Sequence, residues 1–136
     1  MYWAAKLETF SAMPYPDARG QSVGFGHYIL PSDNFSFPIS RADGQKLLLS
    51  DSRIADEAID RYVQVPLTAN QRDALVSLIY NIGVPHFATS TLLKRLNVGD
   101  YGGAAGQFDV WRKSEGAVLP VLVARRAIEK QLFLTA

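Results

Sequence analysis

Two carboxylates near the amino end, Glu8 and Asp17, stand nine positions apart in unlike surroundings. Glu8 lies between Leu7 and Phe10, at the end of a stretch with apolar residues at helical spacing. Asp17 follows Pro16 and leads into a segment punctuated by Gly20, Gly24 and Gly26. Desolvation disfavours an ionised carboxyl, whereas a polar turn keeps one charged. Glu8 is therefore the candidate proton donor and Asp17 the candidate charged partner, a division of labour that glycoside hydrolysis requires. Spacing alone leaves the alternative open, because a solvated helix glutamate and a turn aspartate after proline give the same letters.

Other chemistries find little support. The 136 residues include no cysteine and two histidines, His27 and His86, so thiolate sites are excluded and a histidine-rich metal site is not expected. No metal or cofactor is called for. Fourteen basic residues nearly balance thirteen acidic ones, which gives no basic face for nucleic acid. No apolar run approaches the ~20 residues that span a bilayer. The stretch from Met1 to Lys6 lacks the basic-then-apolar layout of a signal peptide, so action on a cell wall would need another delivery route.

The elements that must position these residues can be read from periodicity. Trp3, Ala4, Leu7 and Phe10 predict a short helix over residues 2–10, stopped by Pro14 and Pro16. Residues 11–39, rich in Gly, Pro, Ser and aromatics, predict turns and a small irregular sheet, with a loop from Pro31 to Pro38. Ser40 is a plausible N-cap, and a helix follows to about residue 63, with Gly44 weakening its first turn. Thr68 and Gln71 form a clearer capping box for a broadly apolar helix ending near Ile82, with Gly83 as a left-handed stop. Short helices are expected over Ser90–Leu96 and Asp100–Trp111, a loop at Ser114–Gly116, and a last helix from about Pro120 to Leu134. His86, after Pro85, falls in a loop. The fold class is α+β: a small sheet lobe, a larger helical lobe and a long connecting helix. One domain covers 1–136, with the small lobe about 11–60 and the helical lobe about 1–10 and 61–136.

Glu8, Tyr15, Asp17, Gly20, Ser22, Gly24, Gly26 and His27 occur in an order that resembles the phage lysozymes of glycoside hydrolase family 24, the T-even phage type. The segment from Val65 to Gly83 looks like that family's central helix with its Asn-x-Gly end. Ser90 to Asp100, Phe108, Trp111, and Leu119 through Arg125, Arg126, Glu129 and Phe133 continue the likeness over nearly the whole chain.

The resemblance implies a muramidase that cleaves the β-1,4 bond between N-acetylmuramic acid and N-acetylglucosamine in peptidoglycan, with inversion. Its catalytic Glu, Asp and Thr fall on Glu8, Asp17 and Ser22. Serine stands where threonine is usual, and the Asp-to-hydroxyl spacing is one residue shorter. An inverting pair sits ~6.5–9.5 Å apart, with room for water. Arg125 matches the arginine that pairs with the catalytic glutamate, with Arg126 as competitor. His27 would pair with Asp51 on the long helix and serve stability. Asn81, Phe25 and Tyr28 are candidate substrate contacts, with helix capping and local packing as the alternatives; Trp111, Phe108 and Phe133 read as core. The implied partner is the peptidoglycan glycan strand, met by a monomer. It would be made in a host cytoplasm and act on periplasmic peptidoglycan, or ride in a phage virion. A catalytically silent wall-binding or structural domain is the alternative, as is a toxin domain of a longer parent.

Overall fold

A computed structural model describes residues 9–135. The expected helix over 2–10, and Glu8 with it, lies outside the described residues.

Strands β1 (Ser11–Asp17), β2 (Gly20–Gly24) and β3 (His27–Tyr28) form an antiparallel sheet in the order β1-β2-β3. Pro14 and Pro16 are tolerated because β1 is an edge strand, and the β1–β2 register is irregular between Ser11 and Tyr15. Beyond that irregularity Tyr15 pairs with Ser22 and Asp17 with Gly20, so Ala18 and Arg19 form the tip of the hairpin.

Helix α1 (Arg41–Tyr62) begins where Ser40 Oγ accepts from Asp43 N at 3.0 Å. Gly44 lowers helix propensity there but has a packing role. A Cβ at Gly44 would lie 2.9 Å from the Phe10 ring, and one at Gly24 would lie 3.3 Å from Gly44 Cα. The helix and sheet therefore approach almost backbone to backbone.

Helix α2 (Ala69–Ile82) opens with the capping box: Gln71 N donates to Thr68 Oγ1 at 3.1 Å and Thr68 N to Gln71 Oε1 at 2.8 Å. From Ala74 to Ile82 every residue is buried, so this is the axis of the core. Around it stand α3 (Val84–Ala88), α4 (Thr91–Asn97), α5 (Tyr101–Gly106), a 3-10 turn at Gln107–Val110 and α6 (Pro120–Leu134). Leu75, Leu78 and Ile79 pack in one cluster with Phe87, Leu92, Leu96, Phe108 and Phe133. The architecture is α+β, a small sheet beside a helical body joined by the long α1.

Four local expectations need adjustment. His86 is helical, in α3, because Pro85 suits a first turn. Gly83 ends α2 with the positive φ expected of a glycine stop, 93°, but its ψ of 155° lies outside the left-handed helical turn. Ser114–Gly116 belongs to a small hairpin of β4 (Lys113–Ser114) and β5 (Ala117–Val118), strands too short to show alternation. The expected helix over Asp100–Trp111 is divided instead, its glycines at 102, 103 and 106 being poor helix formers.

Candidate active site

Asp17 ends β1 with only 7% of its surface exposed. Its Oδ1 accepts from Ala18 N at 2.9 Å and from Asn81 Nδ2 at 2.9 Å, while its backbone carbonyl accepts from the Ser114 hydroxyl. Three separated parts of the chain thus fix Asp17: the hairpin tip and the end of α2 hold its carboxylate, and β4 holds its backbone. Both donors fall on Oδ1, so among the described residues the second carboxylate oxygen is left to a water or substrate hydroxyl.

Ser22 is buried in β2, opposite Tyr15 on one side and Tyr28 on the other. Side chains two apart on a strand share a face, as do cross-strand partners. Tyr15, Asp17, Ser22 and Tyr28 therefore belong to one face of the sheet. Tyr15, Pro16 and Asp17 line a cavity of about 390 Å³ closed by Val121, Leu122 and Arg125 of α6.

Behind Asp17 runs a buried polar chain. Asn81 Oδ1 accepts from Arg126 Nη1 at 2.9 Å, and Arg126 Nη2 donates to Glu129 Oε2 at 3.0 Å. Glu129 also accepts from Arg125 Nε at 3.1 Å and from the Ser77 hydroxyl, and Arg125 Nη2 reaches Ser77 O at 3.0 Å. Burial pulls the Arg126 pKa below its usual value against the opposing charge of Glu129. Asp17 and Glu129 balance Arg125 and Arg126 in charge, which suits a dry interior. The expected contact of Arg125 with Glu8 lies outside the described residues.

Sequence reasoning missed Glu129 as the centre of this chain, and its readings of Asn81, as a contact to substrate or to the surroundings of Glu8 or as a helix cap, did not include the bond to Asp17. A signal was available. Leu122, Arg126, Glu129 and Phe133 recur at spacings of four, three and four, the stripe of a buried helix face, and all four are buried. Charged residues on such a stripe must pair with one another.

The remaining candidates divide. His27 Nδ1 lies 2.7 Å from Asp51 Oδ2, and its Nε2 lies 2.8 Å from Asp33 Oδ2, a second partner the sequence did not suggest. Tyr28 lies under the Arg19 guanidinium at 4.2 Å and lines a second cavity. Phe25 faces inward, 8% exposed, with its ring 5.4 Å from Phe10 and its carbonyl bound to Tyr80 Oη, so it offers no platform for a sugar. Trp111 is half-buried and stacks on His86 at 5.5 Å, unlike the enclosed Phe108 and Phe133.

Over residues 5–129 the sequence matches the profile of the family described as Phage lysozyme. The chain belongs to the phage lysozyme family. It is 40% identical over 119 residues to an endolysin of Acyrthosiphon pisum secondary endosymbiont phage 1, covering 85% of this chain and 80% of that one. It is 41% identical over 128 residues to a SAR-endolysin of Escherichia phage Mu, covering 93% and 74%. Among solved structures, the muramidase domain of SpmX from Asticaccaulis excentricus superposes with a TM-score of 0.80 at 35% identity, over 99% of this chain and 94% of that one. As a phage lysozyme the chain is a hydrolase, of the class that lyses peptidoglycan.

Proposed function

We propose that this phage lysozyme cleaves the β-1,4 bond between N-acetylmuramic acid and N-acetylglucosamine by a single inverting displacement. Asp17 holds and activates a water, Ser22 on the same face orients it, and Glu8 protonates the departing oxygen. The observation that carries the reading is the setting of Asp17. Its carboxylate is anchored through one oxygen by Ala18 and Asn81 and borders a cavity large enough for part of a sugar ring. A base must be positioned before it can direct a water, and anchoring from three parts of the chain does that.

Arg125 and Arg126 act in support, holding the polar layer beneath Asp17. His27 with Asp51 braces the sheet against α1. The unit acts as a monomer on glycan strands, as one catalytic domain over 1–136, reaching periplasmic peptidoglycan from a host cytoplasm or from a virion. Among the described residues no helix is long and apolar enough to cross a membrane.

The test is the anomer released first. Purified glycan strands cleaved in an NMR tube should give the α-configured reducing end before mutarotation. Initial release of the β anomer would mean retention and a different role for Asp17.

A further inference from the structure

Arg19, at the tip of the β1–β2 hairpin, is held in a way that the hydrolytic roles above do not use. Its guanidinium lies 4.2 Å over the Tyr28 ring. On another side it presses on Gly83, where an added Cβ would come within 2.8 Å of Arg19 Cζ. Tyr28 belongs to the sheet and Gly83 to the end of α2, so the side chain spans the two parts of the molecule, two residues from Asp17. It is half-buried, yet among the described residues no carboxylate or carbonyl accepts from its five N–H donors. Burial lowers its pKa, against the smaller opposing effects of Tyr28 and Asp51, which is the condition of a cation short of a partner.

The space in front of it is suited to a ligand. Arg19 and Tyr28 line a cavity of about 210 Å³ whose far walls are Leu30, Ile54, Val84 and Pro85. Asp51 also borders it, but Asp51 Oδ2 is engaged by His27. Apolar walls beside the guanidinium strengthen a charge-assisted bond, and a stacked guanidinium keeps its edge free for a planar, two-oxygen acceptor.

We propose that Arg19 is a substrate-recognition residue that takes a carboxylate of the peptide stem carried on muramic acid, bound edge-on above Tyr28. The proposal rests on the muramidase reading, since it names the part of that polymer the cavity receives. It makes the enzyme selective for walls whose stem carboxylates are free over walls in which they are amidated. Gly83 contributes by absence, because any side chain there would displace the guanidinium.

The experiment compares two preparations of one peptidoglycan free of teichoic acid: untreated, and with its carboxyls converted to methylamides by carbodiimide coupling. Reducing-end release is measured for the wild-type chain, Arg19→Gln and Arg19→Lys, with melting curves to show that each is folded. The wild type should favour the untreated wall by roughly 10-fold in kcat/KM, the scale of one charge-assisted pair. R19Q should lose that preference, approaching the same rate on both walls, and R19K should keep part of it, having the charge without the fork. A wild type indifferent to amidation, or an R19Q that keeps the full preference, overturns the assignment while leaving hydrolysis intact. No reducing ends from either wall with folded wild type would overturn the muramidase reading and this inference together.

Discussion

At the scale of single residues, the proposed mechanism depends on restraining one carboxylate. Asn81 gives Asp17 a hydrogen bond at 2.9 Å and takes one from Arg126 at 2.9 Å, so it transmits the rigidity of α6 to the catalytic face. Asn81→Ala should lower kcat on the order of 10-fold, the scale of a hydrogen bond to a charged group, with KM little changed. Steady-state kinetics on soluble wall fragments would show it; an unchanged kcat in the folded fraction would reduce Asn81 to a structural part. Asp17 and Ser22 could be singled out because they and the glycines around them form an ordered motif, and the sheet places both on one face. The partner of Asp17 was not, since it lies 64 positions away, and a terminal helix asparagine reads equally well as a cap.

At the scale of elements, caps and breakers in the sequence located the helices, as Ser40 and Thr68 do through their side-chain hydrogen bonds. What the sequence underspecified was α6, whose Arg125, Arg126 and Glu129 read as an exposed charge pattern unless the stripe that Arg126 and Glu129 share with Leu122 and Phe133 is weighed. They are instead held against Ser77 and Asn81 of α2, with Arg126 and Glu129 fully enclosed. Glu129→Ala would leave two buried guanidinium groups without their shared acceptor, a loss of ~3–5 kcal/mol. Calorimetry should record Tm lower by roughly 10–20 °C for a domain of this size. A shift of only a degree or two would mean that solvent reaches the pair. Gly44→Ala tests the α1–sheet contact in the same way, since its methyl would push on Phe10 at 2.9 Å. It should destabilise the fold by ~1–3 kcal/mol despite the gain in helix propensity.

At the scale of the whole molecule, the sheet, the 29–40 loop and α1 are joined through His27, which meets Asp51 with one ring nitrogen and Asp33 with the other. Both nitrogens face carboxylate oxygens, so both must donate and the ring is an imidazolium. Burial of the ring opposes that charge, but the hydrogen bonds and charges of Asp51 and Asp33 outweigh it and raise the His27 pKa. Burial likewise opposes ionised Asp33, and the Leu30 amide with His27 reverses this and lowers its pKa. A raised histidine pKa stabilises the fold fully below the unfolded value, and the effect is lost as pH climbs through the folded value. The lowered Asp33 pKa contributes above the unfolded carboxyl value and is lost as pH falls through the folded one. The wild type should therefore exceed His27→Gln in stability most between about pH 4 and 6.5, with the gap closing toward alkaline pH. Urea titrations across that range would show it, and a constant difference would mean a neutral ring. The α+β architecture was legible because periodicity changes visibly at Ser40; the third member of this cluster was not, because Asp33 sits in a loop without pattern. The claim that joins all three scales is that Asp17 directs the attacking water. Its most direct test is reducing-end release from purified peptidoglycan by the wild type and Asp17→Asn, whose side-chain oxygen can still accept from Ala18 and Asn81. The account predicts a folded variant at least ~10²-fold slower, the scale of a lost general base; a folded variant that releases reducing ends at the wild-type rate would contradict it.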